Sequence, residues 1–246
     1  MKKFLPVIIL FVGIVVLIGV YAFVIKGKDK NGGLEDENSA YIELSLNERP
    51  ILSLVPTDDG HWLEMKVEKI MVPDAETLEY ELVYTTAEGG QQGVPGTKQL
   101  SGQDEVGEKL LLGSESSGKF RYDEGVEQGT LTISFRNAEG KLRTEFTSDF
   151  RLYTNTTSLL SADGYFNVEF KKPTKNYYVV MDSIGIPSET PSELLKGPYG
   201  LFASGVGGGT GSVSISEGNI FKWDEDGWTD EVGADSFSSG IYVSVK

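Results

Sequence analysis

The chain has 246 residues, no cysteine, one histidine and a formal net charge of −15 at neutral pH. Without cysteine it can form neither a disulfide bond nor a thiolate metal site, and a single histidine excludes a two-histidine metal site. Five lysines and one aspartate give residues 1–30 a net charge of +4, which leaves −19 on residues 31–246. Because so acidic a surface repels nucleic-acid phosphates, we expect no nucleic-acid partner.

An uncharged apolar run opens the chain. Residues 4–25 contain no charged side chain, with two lysines before them and three lysines soon after. At about 1.5 Å of rise per residue, a helix of this length spans the ~30 Å hydrocarbon layer of a bilayer. We therefore predict an N-terminal transmembrane helix within an anchor segment, residues 1–30, so that the membrane itself is a partner through residues 4–25.

The alternative for this run is a secretory signal peptide that is cleaved after Ala22. Apolar regions of signal peptides are usually only about 7–15 residues long, whereas this run continues through Ile25. The flanking lysines are too evenly balanced to orient the segment by charge alone. A two-lysine start is typical of export signals, which predicts a single-pass protein of the cell membrane with its N-terminus inside and residues 31–246 outside. Secretion after cleavage near Ala22 stays open as the alternative.

The rest of the chain has the pattern of a β protein. Residues 31–39 are polar and glycine-containing, which predicts a flexible linker. Apolar residues then alternate with polar ones, most clearly at residues 78–84 and 131–136, as in half-buried antiparallel strands. The polar turn at residues 137–140 predicts a β-hairpin. In residues 61–73 the apolar residues change parity, which predicts a bulge or bend near Lys69.

The organisation predicted downstream is all-β, as two small antiparallel β-sandwich parts. A polar patch near residues 155–161 separates a first domain, residues 40–155, from a second β-rich domain, residues 156–246. Strand length and turn spacing fit an immunoglobulin-like or fibronectin-like sandwich. The second part contains a glycine-rich stretch at residues 197–211, and within it we expect a mobile loop at residues 204–212. A proline and a capping box favour a short helix at residues 190–196.

One segment has the outline of a phosphate-binding loop. Residues 113–119 read GSESSGK, but the next residue is Phe120, so no hydroxyl is available for Mg²⁺. The following residues are poor helix formers and contain Gly125, so no helix N-terminus would face the phosphates. We therefore predict a polar turn between two strands and no nucleotide partner.

The chemically most suggestive segment is residues 223–231, which read WDEDGWTDE. Trp223 and Trp228 could stack on a sugar ring, and Asp224, Asp226 and Asp230 could supply oxygen ligands to Ca²⁺. The spacing of an EF-hand fails, because it would place a lysine at the first position and a glycine at the twelfth. The alternative is an Asp-Gly hairpin turn whose two tryptophans clamp its strands together.

Catalytic chemistry has little support in the sequence. The only histidine, His61, follows an Asp-Gly turn at the start of a predicted strand, where a surface histidine is ordinary. We therefore predict no catalytic residue and no cofactor beyond Ca²⁺ at the site above. The function expected is a non-enzymatic structural, adhesion or protein-interaction role at the cell envelope, with an envelope protein or glycan as partner. A carbohydrate- or calcium-binding module that uses residues 223–231 is the alternative, and a polysaccharide-active enzyme is the least favoured.

Overall fold

The computed structural model describes residues 41–205, 207–230, 232 and 235–246, which belong to one compact unit, Tyr41–Lys246. All regular secondary-structure elements in these described residues are β-strands. The strands are β1 Ile51–Pro56, β2 Trp62–Glu68, β3 Thr77–Thr85, β4 Gln91–Gln99, β5 Val106–Leu111, β6 Gly113–Ser116, β7 Lys119–Tyr122, β8 Gln128–Arg136, β9 Leu142–Tyr153, β10 Ser158–Leu160, β11 Phe166–Phe170, β12 Tyr178–Asp182, β13 Leu194–Ala203, β14 Gly208–Ile215, β15 Asn219–Asp224, β16 Gly227–Thr229, β17 Ser236–Ser238 and β18 Gly240–Val245.

In the described residues these strands form four sheets, and the pairings are antiparallel. The largest sheet has nine strands in the order β16-β15-β18-β13-β12-β9-β8-β3-β4. A three-stranded sheet has the order β1-β2-β5, a four-stranded sheet has the order β10-β11-β14-β17, and β6 and β7 form a separate hairpin. The predicted all-β, antiparallel character is confirmed.

The two smaller sheets pack on opposite faces of the nine-stranded sheet. One hydrophobic cluster joins β1, β2 and β5 to one face, with Leu63, Phe135 and Met181 among its buried members. A second cluster joins β10, β11, β14 and β17 to the other face, with Phe166 and Val180 among its members. Because β12 contributes to both clusters, four of its five residues are buried without alternation. Each contact is thus a sheet-on-sheet packing of the kind found in β-sandwiches.

The alternating segments fold as expected. Residues 78–84 lie in β3, where Leu78 and Leu82 are buried between more exposed neighbours. The predicted hairpin is formed by β8 and β9, and its turn closes where the Gly140 amide donates to the Asn137 carbonyl oxygen at 2.9 Å. Gly140 has φ of 77°, a conformation that favours glycine. Both predictions are confirmed.

The predicted helix at residues 190–196 is wrong. Thr190 donates its hydroxyl to the Ser192 carbonyl oxygen at 2.8 Å, and β13 begins at Leu194. Leu194 pairs with Val245 of β18, so its backbone groups face a neighbouring strand instead of a helical turn. Cross-strand pairing at the sheet has overridden a local helix-start pattern.

The mobile loop predicted at residues 204–212 is wrong over its second half. Residues 208–212 belong to β14, which begins at Gly208. At Gly211 a β-carbon would overlap the carbonyl oxygen of Glu169 on the neighbouring strand. Glycine therefore permits close strand pairing at this position, where the sequence alone indicated mobility.

Lys69 marks the end of β2, in agreement with the predicted bend. Its φ of 57° takes the chain out of the strand. Its Nζ atom donates to the carbonyl oxygens of Asn47 at 2.6 Å, Ile186 at 2.9 Å and Pro187 at 3.2 Å. Burial lowers the pKa of this ammonium group. The bend therefore places one lysine where it ties two distant loops together.

The predicted boundary at residues 155/156 falls between β9 and β10. The nine-stranded sheet is continuous across it, because β9 pairs with β12, for example Leu152 with Val179. The division into domains 40–155 and 156–246 stays a prediction.

None of the described residues belongs to a helix long and apolar enough to cross a membrane. The predicted transmembrane helix at residues 4–25 and the linker at residues 31–39 lie outside the described residues.

Candidate functional site

The GSESSGK segment folds as the β6–β7 hairpin. Its two turn residues, Ser117 and Gly118, have φ of 53° and 76°. Two-residue hairpin loops favour positive φ at both positions, because the twist of such a turn matches the twist of the flanking strands. The segment after it is a strand, β7. The predicted polar turn between two strands is therefore confirmed, and the hairpin presents the side chains of β7 to solvent.

Four aromatic rings come together where this hairpin meets the start of β2. Residues two apart on a strand point to the same face, so Phe120 and Tyr122 lie side by side, 6.2 Å between ring centroids. The Tyr122 ring stacks on His61 at 3.8 Å with an interplanar angle of 5°, and Trp62 meets Phe120 edge-on at 5.5 Å. We call His61, Trp62, Phe120 and Tyr122 the aromatic strip.

The strip is open to solvent. Phe120 is 45% exposed and Tyr122 is 38% exposed, while His61 and Trp62 are half-buried beside them. Large aromatic side chains bury their surface in most folded proteins, so a group of rings left open on one face is informative. The strip is held in place by β2 and β7 rather than by a long loop.

A groove of about 660 Å³ adjoins the strip. His61 belongs to both, because its ring stacks on Tyr122 and also lines the groove. The other walls come from the turn before β2, the connection between β7 and β8, the end of β9, and Tyr177. The lining residues are Asp59, Gly60, His61, Asp123, Glu124, Gly125, Val126, Glu127, Gln128, Arg151, Leu152, Tyr153, Thr154 and Tyr177.

The groove wall beside His61 is a tight, hydrogen-bonded turn. Asp59 accepts hydrogen bonds from the Thr57 hydroxyl at 2.6 Å and from the His61 amide at 3.0 Å, and these bonds lower its pKa. The same carboxylate lies 3.2 Å from His61 Nδ1. Gly60 has φ of 71°, and a β-carbon there would overlap the Tyr177 ring. Glycine is therefore needed both for the turn and for the neighbouring wall of the groove.

The opposite wall is anchored from the core. The buried Tyr84 hydroxyl donates to Asp123 Oδ2 at 2.8 Å. Burial, together with this carboxylate, raises the pKa of Tyr84 well above its usual range. Asp123 directly follows Tyr122 in the chain, so this bond fixes the end of β7 as well as the groove wall. The rings and the acidic wall thus have a fixed spatial relation.

The groove is acidic. Four carboxylates line it, from Asp59, Asp123, Glu124 and Glu127, against one guanidinium, Arg151. Among the described residues, the Glu124 and Glu127 carboxylates take part in no ion pair or hydrogen bond. Arg151 contacts the Tyr153 hydroxyl, at 3.5 Å, and none of the carboxylates in the described part of the chain lies within ion-pair distance of it. The side chains that line the groove therefore carry an excess of negative charge.

The structure places Trp223 and Trp228 in the hairpin formed by β15 and β16. The two residues face each other across β15 and β16, with ring centroids 5.4 Å apart and planes at 77°. Trp228 packs against the cluster of Ile186, Val243 and Val245. Its Nε1 atom donates to the Glu189 carbonyl oxygen at 2.9 Å. The hairpin clamped by two tryptophans is confirmed, and a ligand-binding role for these rings stays a prediction.

The three aspartates of the same segment are not gathered into a metal site. Within the described ranges, no group of three acidic or histidine side chains is placed so that it could hold a metal ion. Asp224 lies 3.7 Å from Lys222 Nζ, and Asp226 occupies the tip of the hairpin. Asp230 is exposed beyond β16. Calcium binding by Asp224, Asp226 and Asp230 stays a prediction, without support from a shared coordination sphere.

Substitutions in this hairpin test whether Trp228 contributes more to stability than Trp223. We expect Trp228→Phe to lower the free energy of unfolding by about 1 kcal/mol, because it removes one hydrogen-bond donor and keeps an aromatic ring. Trp223→Phe is the matched control, since its indole nitrogen donates no hydrogen bond within the described residues. Urea denaturation of both variants measures the difference. Equal effects would contradict an anchoring role for Trp228.

Sequence reasoning missed the aromatic strip. The available signal was the alternation of Phe120 and Tyr122 with charged residues in a hairpin whose other side chains are polar. Such a hairpin offers no apolar partners that could bury the two rings. The stacking partner His61 lies in the turn before β2 and far away in the chain, so spacing along the sequence could not reveal it.

These features define an all-β protein with an exposed aromatic strip beside an acidic groove. Comparison of the chain with models of protein families, with curated proteins and with solved structures found no significant match.

Proposed function

We propose that this chain is a non-enzymatic, membrane-anchored protein that presents Tyr41–Lys246 outside the cell for adhesion, envelope structure or protein interaction. The observation that carries the proposal is the aromatic strip, whose Phe120 and Tyr122 rings are exposed at the edge of the groove. Tyrosine, tryptophan and phenylalanine are enriched at the centres of protein interfaces, and apolar patches rimmed by polar residues mark interaction sites. The aromatic strip and the groove together form the proposed interaction surface.

The membrane part of the proposal rests on the sequence. The uncharged run at residues 4–25 is long enough to span a bilayer, and the acidic residues 31–246 suit a soluble part held away from anionic lipid. A mature protein that begins after Ala22 is the alternative, in which the same interaction surface would be secreted.

We further propose that the two hydrophobic clusters correspond to two sandwich parts of immunoglobulin-like or fibronectin-like character. The support is the packing of one small sheet on each face of the nine-stranded sheet. Such sandwiches are common frames for cell-surface interaction modules. This part of the proposal concerns the frame, whereas the interaction surface depends on the aromatic strip and the groove.

The carbohydrate- or calcium-binding alternative at residues 223–231 has less support. Trp228 is packed on a hydrophobic cluster and its ring nitrogen is engaged, which leaves less of the ring for a sugar. A polysaccharide-active enzyme is supported by no arrangement described above.

The proposal is tested in two stages with the full-length chain carrying a C-terminal epitope. In intact cells we expect an external protease to remove the epitope, and fractionation to recover the protein with the membrane. Protection of the epitope in intact cells would contradict display outside the cell. Mass determination of the mature N-terminus distinguishes a retained anchor from cleavage near Ala22.

The second stage compares variants of the interaction surface. We expect the double variant Phe120→Ala/Tyr122→Ala to lose a partner that co-purifies with the wild-type protein from solubilised envelopes. Tyr165→Ala is the matched control, because Tyr165 is a tyrosine of similar exposure, 43%, on the turn before β11 and outside the groove. Equal recovery of the partner by all variants would contradict the assignment of the surface.

A further inference from the structure

The charge of the groove limits what can enter it. Four carboxylates face one guanidinium, and the Glu124 and Glu127 carboxylates have no cationic partner among the described residues. The surrounding chain is acidic as well, with −19 on residues 31–246. An anionic ligand would therefore meet repulsion on approach and again on binding, while a cationic ligand gains from both.

The aromatic strip adds a second preference for cations. The faces of aromatic rings carry negative electrostatic potential, so lysine ammonium and arginine guanidinium groups are attracted to them. Tyr122 and Phe120 lie nearly parallel, with an interplanar angle of 8°, and Tyr122 is joined to the groove through His61. The exposed rings therefore begin at His61, where the groove ends.

The shape favours an extended chain over a compact cation. The groove of about 660 Å³ is far larger than one ammonium group, and it continues into a strip of rings along β7. A peptide segment with basic residues at intervals would place one side chain among the carboxylates and another on the rings. A neutral glycan could stack on the rings, but it would gain no electrostatic attraction from the carboxylates.

From these observations we infer that the groove and the aromatic strip bind a lysine- or arginine-rich polypeptide segment of a partner protein. The inference rests on the proposed function, since it names the chemistry of the partner at the same interaction surface. The carboxylates of Glu124 and Glu127 attract the basic side chains, and Phe120 and Tyr122 hold one of them by cation–π contact.

The test is a titration of full-length protein in nonionic detergent with a labelled peptide of alternating lysine and serine, followed by fluorescence anisotropy. We expect Phe120→Ala/Tyr122→Ala to weaken binding by about 5- to 30-fold, as removal of two cation–π contacts predicts. Glu124→Gln/Glu127→Gln should weaken binding and flatten its dependence on salt concentration. A peptide in which glutamate replaces lysine should not bind.

Matched controls separate this site from general attraction to an acidic protein. Tyr165→Ala removes an exposed ring outside the groove, and Glu139→Gln/Glu217→Gln removes two exposed carboxylates outside it. Both controls should bind within about twofold of wild type if the site is specific. Equal weakening by the control and groove variants would overturn the inference, and so would strip-dependent binding of a neutral glycan without binding of the lysine peptide.

Failure of the inference is distinguishable from failure of the proposed function. If the Phe120→Ala/Tyr122→Ala variant loses its co-purifying partner but no basic peptide binds, the interaction surface stands and the partner chemistry is overturned. If the partner is recovered equally by every variant, the interaction surface itself is overturned.

Discussion

Replacing Phe166 by alanine is expected to lower the free energy of unfolding of the folded unit by about 3–5 kcal/mol, the usual cost of deleting a buried phenylalanine. Phe166 is completely buried in the second hydrophobic cluster. Its ring lies 5.3 Å from the Tyr199 ring and 5.4 Å from the Tyr242 ring, so the substitution leaves a cavity between two buried tyrosines. Urea denaturation followed by circular dichroism measures the loss.

Phe120→Ala is the matched control for that experiment. The residue type is the same, but Phe120 is exposed on the aromatic strip, and its loss should change stability by less than about 1 kcal/mol. A similar loss in the two variants would contradict the assignment of Phe166 to a core and Phe120 to a surface.

The Phe166 variant also tests the predicted domain boundary at residues 155/156. Because β9 and β12 pair across it, we expect the first hydrophobic cluster to unfold together with the second. Replacing Trp223 and Trp228 by phenylalanine leaves Trp62 as the only tryptophan. Because Trp62 lies in β2, its fluorescence then reports unfolding on the side of the first cluster. Two separate transitions, only one of them shifted by the substitution, would support independent domains.

Asp182→Asn is expected to stabilise the folded unit at pH 7. Burial raises the pKa of Asp182 to about 6, and the neighbouring charges of Asp163 and Asp149 add to the shift. Its Oδ1 atom is buried and has no hydrogen-bond partner among the residues that the structure describes, while Tyr199, opposite it on β13, donates its hydroxyl to Asp163. The ionised carboxylate is therefore held in an unfavourable place, and its removal should be worth about 1–2 kcal/mol after solvent screening.

The sign of the pH dependence follows from the raised pKa. The folded state takes up a proton at Asp182 near pH 6, whereas the unfolded chain does so nearer pH 4, its ordinary range. The cost of the charge is therefore full above pH 6 and disappears as the pH falls toward 4. Denaturation at pH 7 and at pH 4 should show the advantage of Asp182→Asn shrinking toward zero.

Asp163→Asn is the control of opposite sign. Burial acts to raise the pKa of Asp163, but hydrogen bonds from Ser161, Tyr165 and Tyr199 outweigh it and lower the pKa. Removing this charge should destabilise the unit at pH 7. A destabilising effect of Asp182→Asn at pH 7, or an advantage that grows on acidification, would contradict the account of Asp182.

Local alternation made part of the fold predictable. Residues 78–84 and 131–136 have one face in a core and the other nearer to water. Apolar and polar residues therefore alternate along them, and this alternation predicts which side chains are buried. The turn at residues 137–140 was also predictable, because it ends in Gly140, and glycine readily adopts the positive φ that this position requires. These are properties of neighbouring residues, which a single sequence contains in full.

The parts that could not be predicted depend on residues far apart in the chain. β12 is buried on both faces because two different sheets cover it, which removes the alternation that would have indicated its role. The helix expected at residues 190–196 gave way to pairing with β18 at the far end of the chain. The candidate site also depends on residues far apart in the chain, because His61, in the turn before β2, stacks on Tyr122 of β7.

The most direct test of the interaction surface is site-specific photo-crosslinking in intact cells of the producing organism. A photoreactive phenylalanine analogue is placed at position 120, on the aromatic strip, and in a separate variant at position 165, outside the groove. We predict a discrete crosslinked product at position 120 that is absent at position 165 and is diminished by Glu124→Gln/Glu127→Gln. No product at position 120, or the same product at both positions, would contradict the assignment of the aromatic strip and the acidic groove as a partner-binding surface.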